Sequence, residues 1–224
     1  MSLRMNLLRL QHLADSALPI GGAAHSLGLE SLVEAELLKV GNLAAFLGDY
    51  LHETGALEAG YCAASCALAQ YGAIPEWLGL NIELGARKLA RESRDASAAM
   101  GRRFLRLAAS ISGIEVLVEA SELGAEVHLA PCFGFVAGAL EIGAVTATAA
   151  YLQQSITALV SACQRLLPLG QTEAHQILWS LKPAILRAAE QEVSSPPSRI
   201  SSFTPLLDIA SARHATLYTR LFMS

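Results

Sequence analysis

The segment closest to a nucleophile motif in this sequence is Ala24-His25-Ser26-Leu27-Gly28. A hydrolase elbow of the form Gly-x-Ser-x-Gly strains its serine into exposure where a parallel strand runs into a helix. Here alanine replaces the first glycine, and no parallel strand precedes the turn. Ser26 therefore reads as a cap for a helix from Leu27, with Glu30 favouring the positive helix start. A helical hydrolase using Ser26 and His25 is the alternative this segment leaves. Cys62 and Cys66 lie four apart, neighbours on one helix face that could share a soft metal. The alanines around them (Ala63, Ala64, Ala67) point instead to small buried hydrophobes. His12, His25, His52, His128, His175 and His214 are scattered without ligand spacing, so no metal site is expected. Phosphate-cradling loops need glycines followed by Lys and Ser or Thr, whereas the three lysines precede Val40, Leu89 and Pro183. Nucleotide-driven work would need a partner that binds the nucleotide.

Cations concentrate in one place. Arg87, Lys88, Arg91, Arg94, Arg102, Arg103 and Arg106 face only Glu92 and Asp95, a net +5 across residues 87–106 against −4 for the whole chain. On continuous helices, positions 87, 91 and 94 share one face and 102 and 106 another, a stripe suited to an acidic protein surface. RNA binding through this run is a further alternative, weakened by the lack of aromatic residues for stacking. The acidic total removes the electrostatic case for a general nucleic-acid binder.

The elements that position these residues are helices. The chain has 224 residues, 53% hydrophobic and 16% charged, enough apolar material for one large core. Leu43, Phe46, Leu47, Tyr50 and Leu51 recur at helical spacing over Asn42–Glu53, with Asn42 as cap. Similar periodicity predicts helices near 3–14, 27–36, 57–71, 76–93, 95–110, 132–141, 144–166, 173–189 and 209–221. Only Ile114–Val118 and Glu126–Leu129 could pair as a hairpin, too little for a sheet. The expected fold is all-α, a single-domain compact bundle of about ten helices: a core over 1–193, a Ser/Pro-rich tether over 194–208, and a terminal helix over 209–224. Pro183 should kink or restart its helix. Small residues such as Gly134, Ala137, Gly138 and Ala139 permit close helix approach. Ile142–Gln164 carries no formal charge over 23 residues, but Gln153 and Gln154 at its middle make it a buried core helix rather than a membrane span. Apolar cysteines and no leader pattern predict a cytoplasmic protein with reduced thiols.

Three segments, in their order and spacing, resemble the urease accessory protein UreF family. The first runs from Leu13 to Glu30 and contains Pro19-Ile-Gly21-Gly22 and His25-Ser26. The second is Arg165-Leu-Leu-Pro168-Leu-Gly170-Gln171, and the third is Ser211-Ala-Arg213-His-Ala-Thr-Leu-Tyr218-Thr-Arg220-Leu-Phe-Met-Ser224. Arg91-Glu-Ser and Met100-Gly101 extend the likeness through the basic region. The family pattern places a bulky aromatic after the paired glycines, where this chain has Ala23. The resemblance implies an all-helical, homodimeric, non-enzymatic scaffold in cytoplasmic nickel urease assembly. It would bind UreD (also called UreH) and the GTPase UreG at the apo-urease complex. Nickel and GTP would be handled through partners, with no cofactor held stably by this chain.

Partner binding is expected at Pro19, Gly21, Gly22, His25, Ser26, Glu30, Arg165, Pro168, Gly170, Gln171, Arg213, Tyr218 and Arg220. Their residue types suit a shaped surface. Pro19 and the glycines make a rigid-then-permissive turn that would expose backbone amides. Pro168 to Gly170 end one helix before Thr172 caps the next, and Gln171 offers an amide at the bend. The resemblance points to Tyr218 and Arg220 as surface determinants, on a terminal helix capped by Asp208 that places Arg213 and Arg220 on one stripe.

Overall fold

A computed structural model describes residues 3–194 and 201–223. The helices are α1 (Leu3–Leu13), α2 (Leu29–Glu34), α3 (Val40–Tyr50), α4 (Ala56–Ala69), α5 (Ile74–Arg87), α6 (Arg91–Ser112), α7 (Glu115–Glu122), α8 (Leu129–Ala139), α9 (Ala144–Leu166), α10 (Gln171–Ser180), α11 (Lys182–Val193) and α12 (Pro205–His214). No strand occurs among the described residues, so the all-α expectation is met. A π-helical turn, Leu51–Gly55, joins α3 to α4 without a break.

The centre is α4, packed against α8 and flanked by α9, α11 and α5, while α6 covers the other side of α8. The small residues explain that closeness. A methyl group on Gly134 would overlap the Cys62 carbonyl, and one on Gly138 would overlap that of Cys66. The core beside this seam is aromatic: Trp77 stacks on Phe135 at 4.5 Å and Phe104 on Phe133 at 5.4 Å. Trp77 keeps its indole N–H satisfied by donating to the Pro131 carbonyl at 3.1 Å. All four cysteines are free and buried here, and burial pushes the Cys66 thiol up to about 11 and that of Cys163 to about 12.

Several boundaries differ from the periodicity reading, each for a local reason. The expected hairpin partner Ile114–Val118 opens α7, because Leu117 and Ala120 bury at a spacing of three. Residues 126–128 form no strand and lead into α8, whose extended N-cap residue His128 donates its N–H to Asn81 Oδ1 at 2.7 Å. The span 76–93 breaks after Arg87, since Lys88 leaves helical geometry and turns inward. Pro183 marks the predicted interruption: α10 ends at Ser180 and α11 starts at Lys182 with proline in its first turn. Asn42 stabilises the start of α3 from within, its side chain accepting the Lys39 N–H at 2.8 Å.

The terminal helix is shorter and earlier than 209–221. It begins at Pro205, so Asp208 lies inside it, and it ends at His214. Residues 215–223 run as turns, so Tyr218 and Arg220 are not on a helix and Arg213 and Arg220 share no stripe. The helix docks on α2. Residues 195–200 of the expected tether lie outside the described residues.

Candidate functional site

The first and third of the resembling segments, some 190 residues apart in sequence, meet in space. Residues 19–28 form a loop, three of whose carbonyls are taken by distant parts of the chain. Arg103 of α6 donates to the Ile20 carbonyl at 3.2 Å, Arg165 of α9 to that of Ala23 at 2.7 Å, and Met223 N–H to that of Ala24 at 2.8 Å. Two of the loop's own amides are used internally, Ala24 N–H donating to Gly21 and His25 N–H to Gly22. The turn thus has three of its carbonyls tied down by distant parts of the chain. Gly21 has φ +87°, and Gly28 has φ +92° with the Ser211 backbone N 3.0 Å from where a Cβ would stand. Gly28, rather than Ser26, is the N-cap of α2. Its lack of a side chain is what lets α12 lie on the loop.

Beneath the loop sits a buried charged cluster. His214, the last residue of α12, is fully buried, with Nε2 2.9 Å from Glu30 Oε2 and Nδ1 2.8 Å from Glu92 Oε2. The other Glu30 oxygen accepts the Leu221 N–H at 2.7 Å, and Phe222 N–H donates to Oε2 at 3.3 Å. Arg220 Nη1 stands 3.9 Å from Glu92 Oε1. The Arg165 guanidinium lies 4.1 Å over the Phe222 ring, a cation–π contact that also buries the ring. The tail is therefore pinned at Arg220–Met223 and presents Tyr218, Leu221 and Met223 outward, Tyr218 with 99% of its surface exposed.

The expected contact residues divide accordingly. Glu30, Arg165 and Arg220 come together around the tail, while Gly21 and Gly22 face Arg103 and Met100 of α6 and Pro19 is exposed at the loop's edge. His25 is half-buried, its imidazole held below its ordinary range by burial and by Arg103. Ser26 is fully buried, which withholds its hydroxyl from any substrate carbonyl. Tyr218 and Arg213 are exposed, and the Arg213 carbonyl accepts Thr216 N–H where α12 stops. Pro168, Gly170 and Gln171 are exposed at the α9–α10 turn, just beyond Arg165. There Gly170, not Thr172, is the N-cap. His214, Glu92 and Phe222 were not singled out from the sequence, although a histidine in a terminal segment otherwise rich in apolar and hydroxyl residues is a signal of burial with a partner.

A cavity of about 410 Å³ opens behind the loop, lined by Ile20, His25, Leu27, Met100 and Leu159 among others. At its edge Lys88 pairs with Glu58, and Tyr151 O–H donates to the same carboxylate at 2.7 Å. Burial first, then Glu58, drives the Tyr151 phenol well above its ordinary range.

The basic run is largely occupied in the fold. Arg87 pairs with Glu83 at 2.7 Å, Arg94 donates to the Lys88 carbonyl at 3.0 Å, and Lys88 is buried. Arg87 ends α5 whereas Arg91 and Arg94 belong to α6, so the expected stripe over 87, 91 and 94 is not one helix face. Among the described residues no group of three or more His, Cys, Asp or Glu is arranged to hold a metal, and no helix is long and apolar enough to cross a membrane.

Comparison with known proteins agrees with the likeness in these segments. The model of the UreF family matches residues 39–182. The urease accessory protein UreF of Dechloromonas aromatica is 34% identical, with 98% of each chain covered. That of a Nostoc strain is 32% identical over 97% of this chain and 95% of its own. UreF of a Bacillus strain is 30% identical over 97% and 99%. The three relatives align with nearly the whole chain and the family model with its central part, and the chain belongs to the UreF family of urease accessory proteins.

Proposed function

We propose that this chain is a non-enzymatic scaffold of urease maturation. In this reading it binds UreD/UreH and the GTPase UreG and supports GTP-dependent insertion of nickel into the apo-urease complex. It works in the cytoplasm as a homodimer, with nickel as cargo and GTP bound by the partner. Family membership supports the maturation role. The observation that carries the scaffold role is the joint surface of loop 19–28 and tail 215–223. Two segments far apart in sequence are fastened together by buried charge, while Tyr218, Leu221 and Met223 stay outside. Exposed aromatic and aliphatic side chains beside an arginine are the composition of an interface centre.

Arg220 is 45% exposed and only loosely held by Glu92. Its planar fork is thus free to take a carboxylate or carbonyls on a partner. Arg220→Ala is expected to weaken capture of the GTPase by roughly 1–3 kcal/mol, with melting temperature and dimer unchanged. Pull-down with each partner, with and without GTP and nickel, measures this. Equal capture by Arg220→Ala and by a chain lacking residues 215–224 would remove the tail from the functional surface.

A further inference from the structure

His214 is caught between two acids in a way that constrains its hydrogens. A carboxylate oxygen only accepts, yet Glu30 stands 2.9 Å from one ring nitrogen and Glu92 2.8 Å from the other. Glu30 also receives the Leu221 and Phe222 amides, which favours its ionised, acceptor-only form. With both acids ionised, both contacts are hydrogen bonds only if both ring nitrogens carry hydrogen. The charged groups facing the cluster are Glu30 from α2, Glu92 from α6 and Arg220 from the tail. Arg165 from α9 reaches the tail through Phe222 and Ala23, and the other charged side chain at this end of α12, Arg213, is exposed. One imidazole therefore joins three elements.

We propose that Glu30, His214 and Glu92 form a proton-held clasp: it closes the tail over the loop while His214 carries both ring hydrogens and opens when one is lost. Resting on the docking role argued above, this makes partner capture dependent on pH. The sign follows from proton count. The closed clasp holds one more proton than an open one whose solvated imidazole is neutral. Above about pH 6.5, where such an imidazole has discharged, each unit of pH raises the open-to-closed ratio about tenfold.

Hydrogen exchange of the Leu221 and Phe222 amides in the full-length protein reads this ratio directly, after division by the intrinsic rate at each pH. Their protection should fall about tenfold per unit above neutrality, while amides at the α4–α8 seam keep theirs. Glu92→Gln supplies the decisive comparison. Its amide donates to Nδ1, so a neutral ring with hydrogen on Nε2 closes the clasp, and protection should no longer depend on pH. A flat profile in the unmodified protein, or the same slope in Glu92→Gln, overturns the clasp and leaves the scaffold reading standing. Capture of UreG at two pH values tests the coupling to docking. Expected is loss of capture with rising pH in the native chain and constant capture by Glu92→Gln. Capture that stays constant in the native chain while protection falls overturns the link between clasp and docking. Failure to capture at any pH, with the protection slope present, counts against the docking reading alone.

Discussion

At the scale of single residues, burial decides which ionisable groups cost or supply stability. His128 is 1% exposed, and burial foremost, then Lys88, holds its imidazole down to about 4 from the usual 6.5. A depressed histidine is neutral in the fold, so its contribution is fully present above pH 6.5 and is lost as pH falls from there toward 4. The expected loss is about 3 kcal/mol, read as a falling urea midpoint over that window. His128→Leu should flatten the acid limb, and an unchanged limb would locate the acid sensitivity elsewhere. The Lys88–Glu58 pair behaves oppositely, since both side chains are about nine-tenths buried. Lys88→Met leaves Glu58 without its cation and should cost about 3–5 kcal/mol. A melting curve like that of the native chain would show that Glu58 takes up a proton instead.

At the scale of elements, the junction between α5 and α6 separates structural arginines from surface ones. Arg94 ties α6 to the Lys88 carbonyl, whereas Arg91 is exposed and pairs with Asp95, one turn away at 3.4 Å. Arg91→Glu should change stability by no more than about 0.5 kcal/mol. Arg94→Glu removes a charge-assisted bond to a carbonyl and sets a carboxylate beside it, and should cost about 1.5–3 kcal/mol. Thermal unfolding of the two variants checks the contrast; equal melting points would return Arg94 to the surface. The α10–α11 break was legible because proline both removes a donor and clashes one turn back. The α12 boundary was not. Leu217, Leu221 and Phe222 fit helical spacing equally well, and Glu30 captures the backbone amides of Leu221 and Phe222 in a non-helical tail.

At the scale of the molecule, exposed apolar side chains are spread over several elements, including Ile82, Trp179 and Tyr218 at 74%, 74% and 99% exposure. The homodimer of the proposed function would cover part of this surface. Light scattering at rising concentration should give twice the 23.7 kDa chain mass, and a monomer throughout would count against it.

The amino-acid sequence alone determined the fold class, most helices, the buried reduced cysteines and the family, because these depend on periodicity, composition and local order. It also marked the loop and the terminal segment, but as separate pieces. Only the tertiary structure decided that they are one surface, since Glu30 and Leu221 stand 191 positions apart and meet at 2.7 Å. The same holds for the basic run. A count of cations cannot tell Lys88, turned inward to Glu58, from Arg91, left in water. The difference is set by the three residues that break α5 from α6, and by which neighbours their side chains then reach.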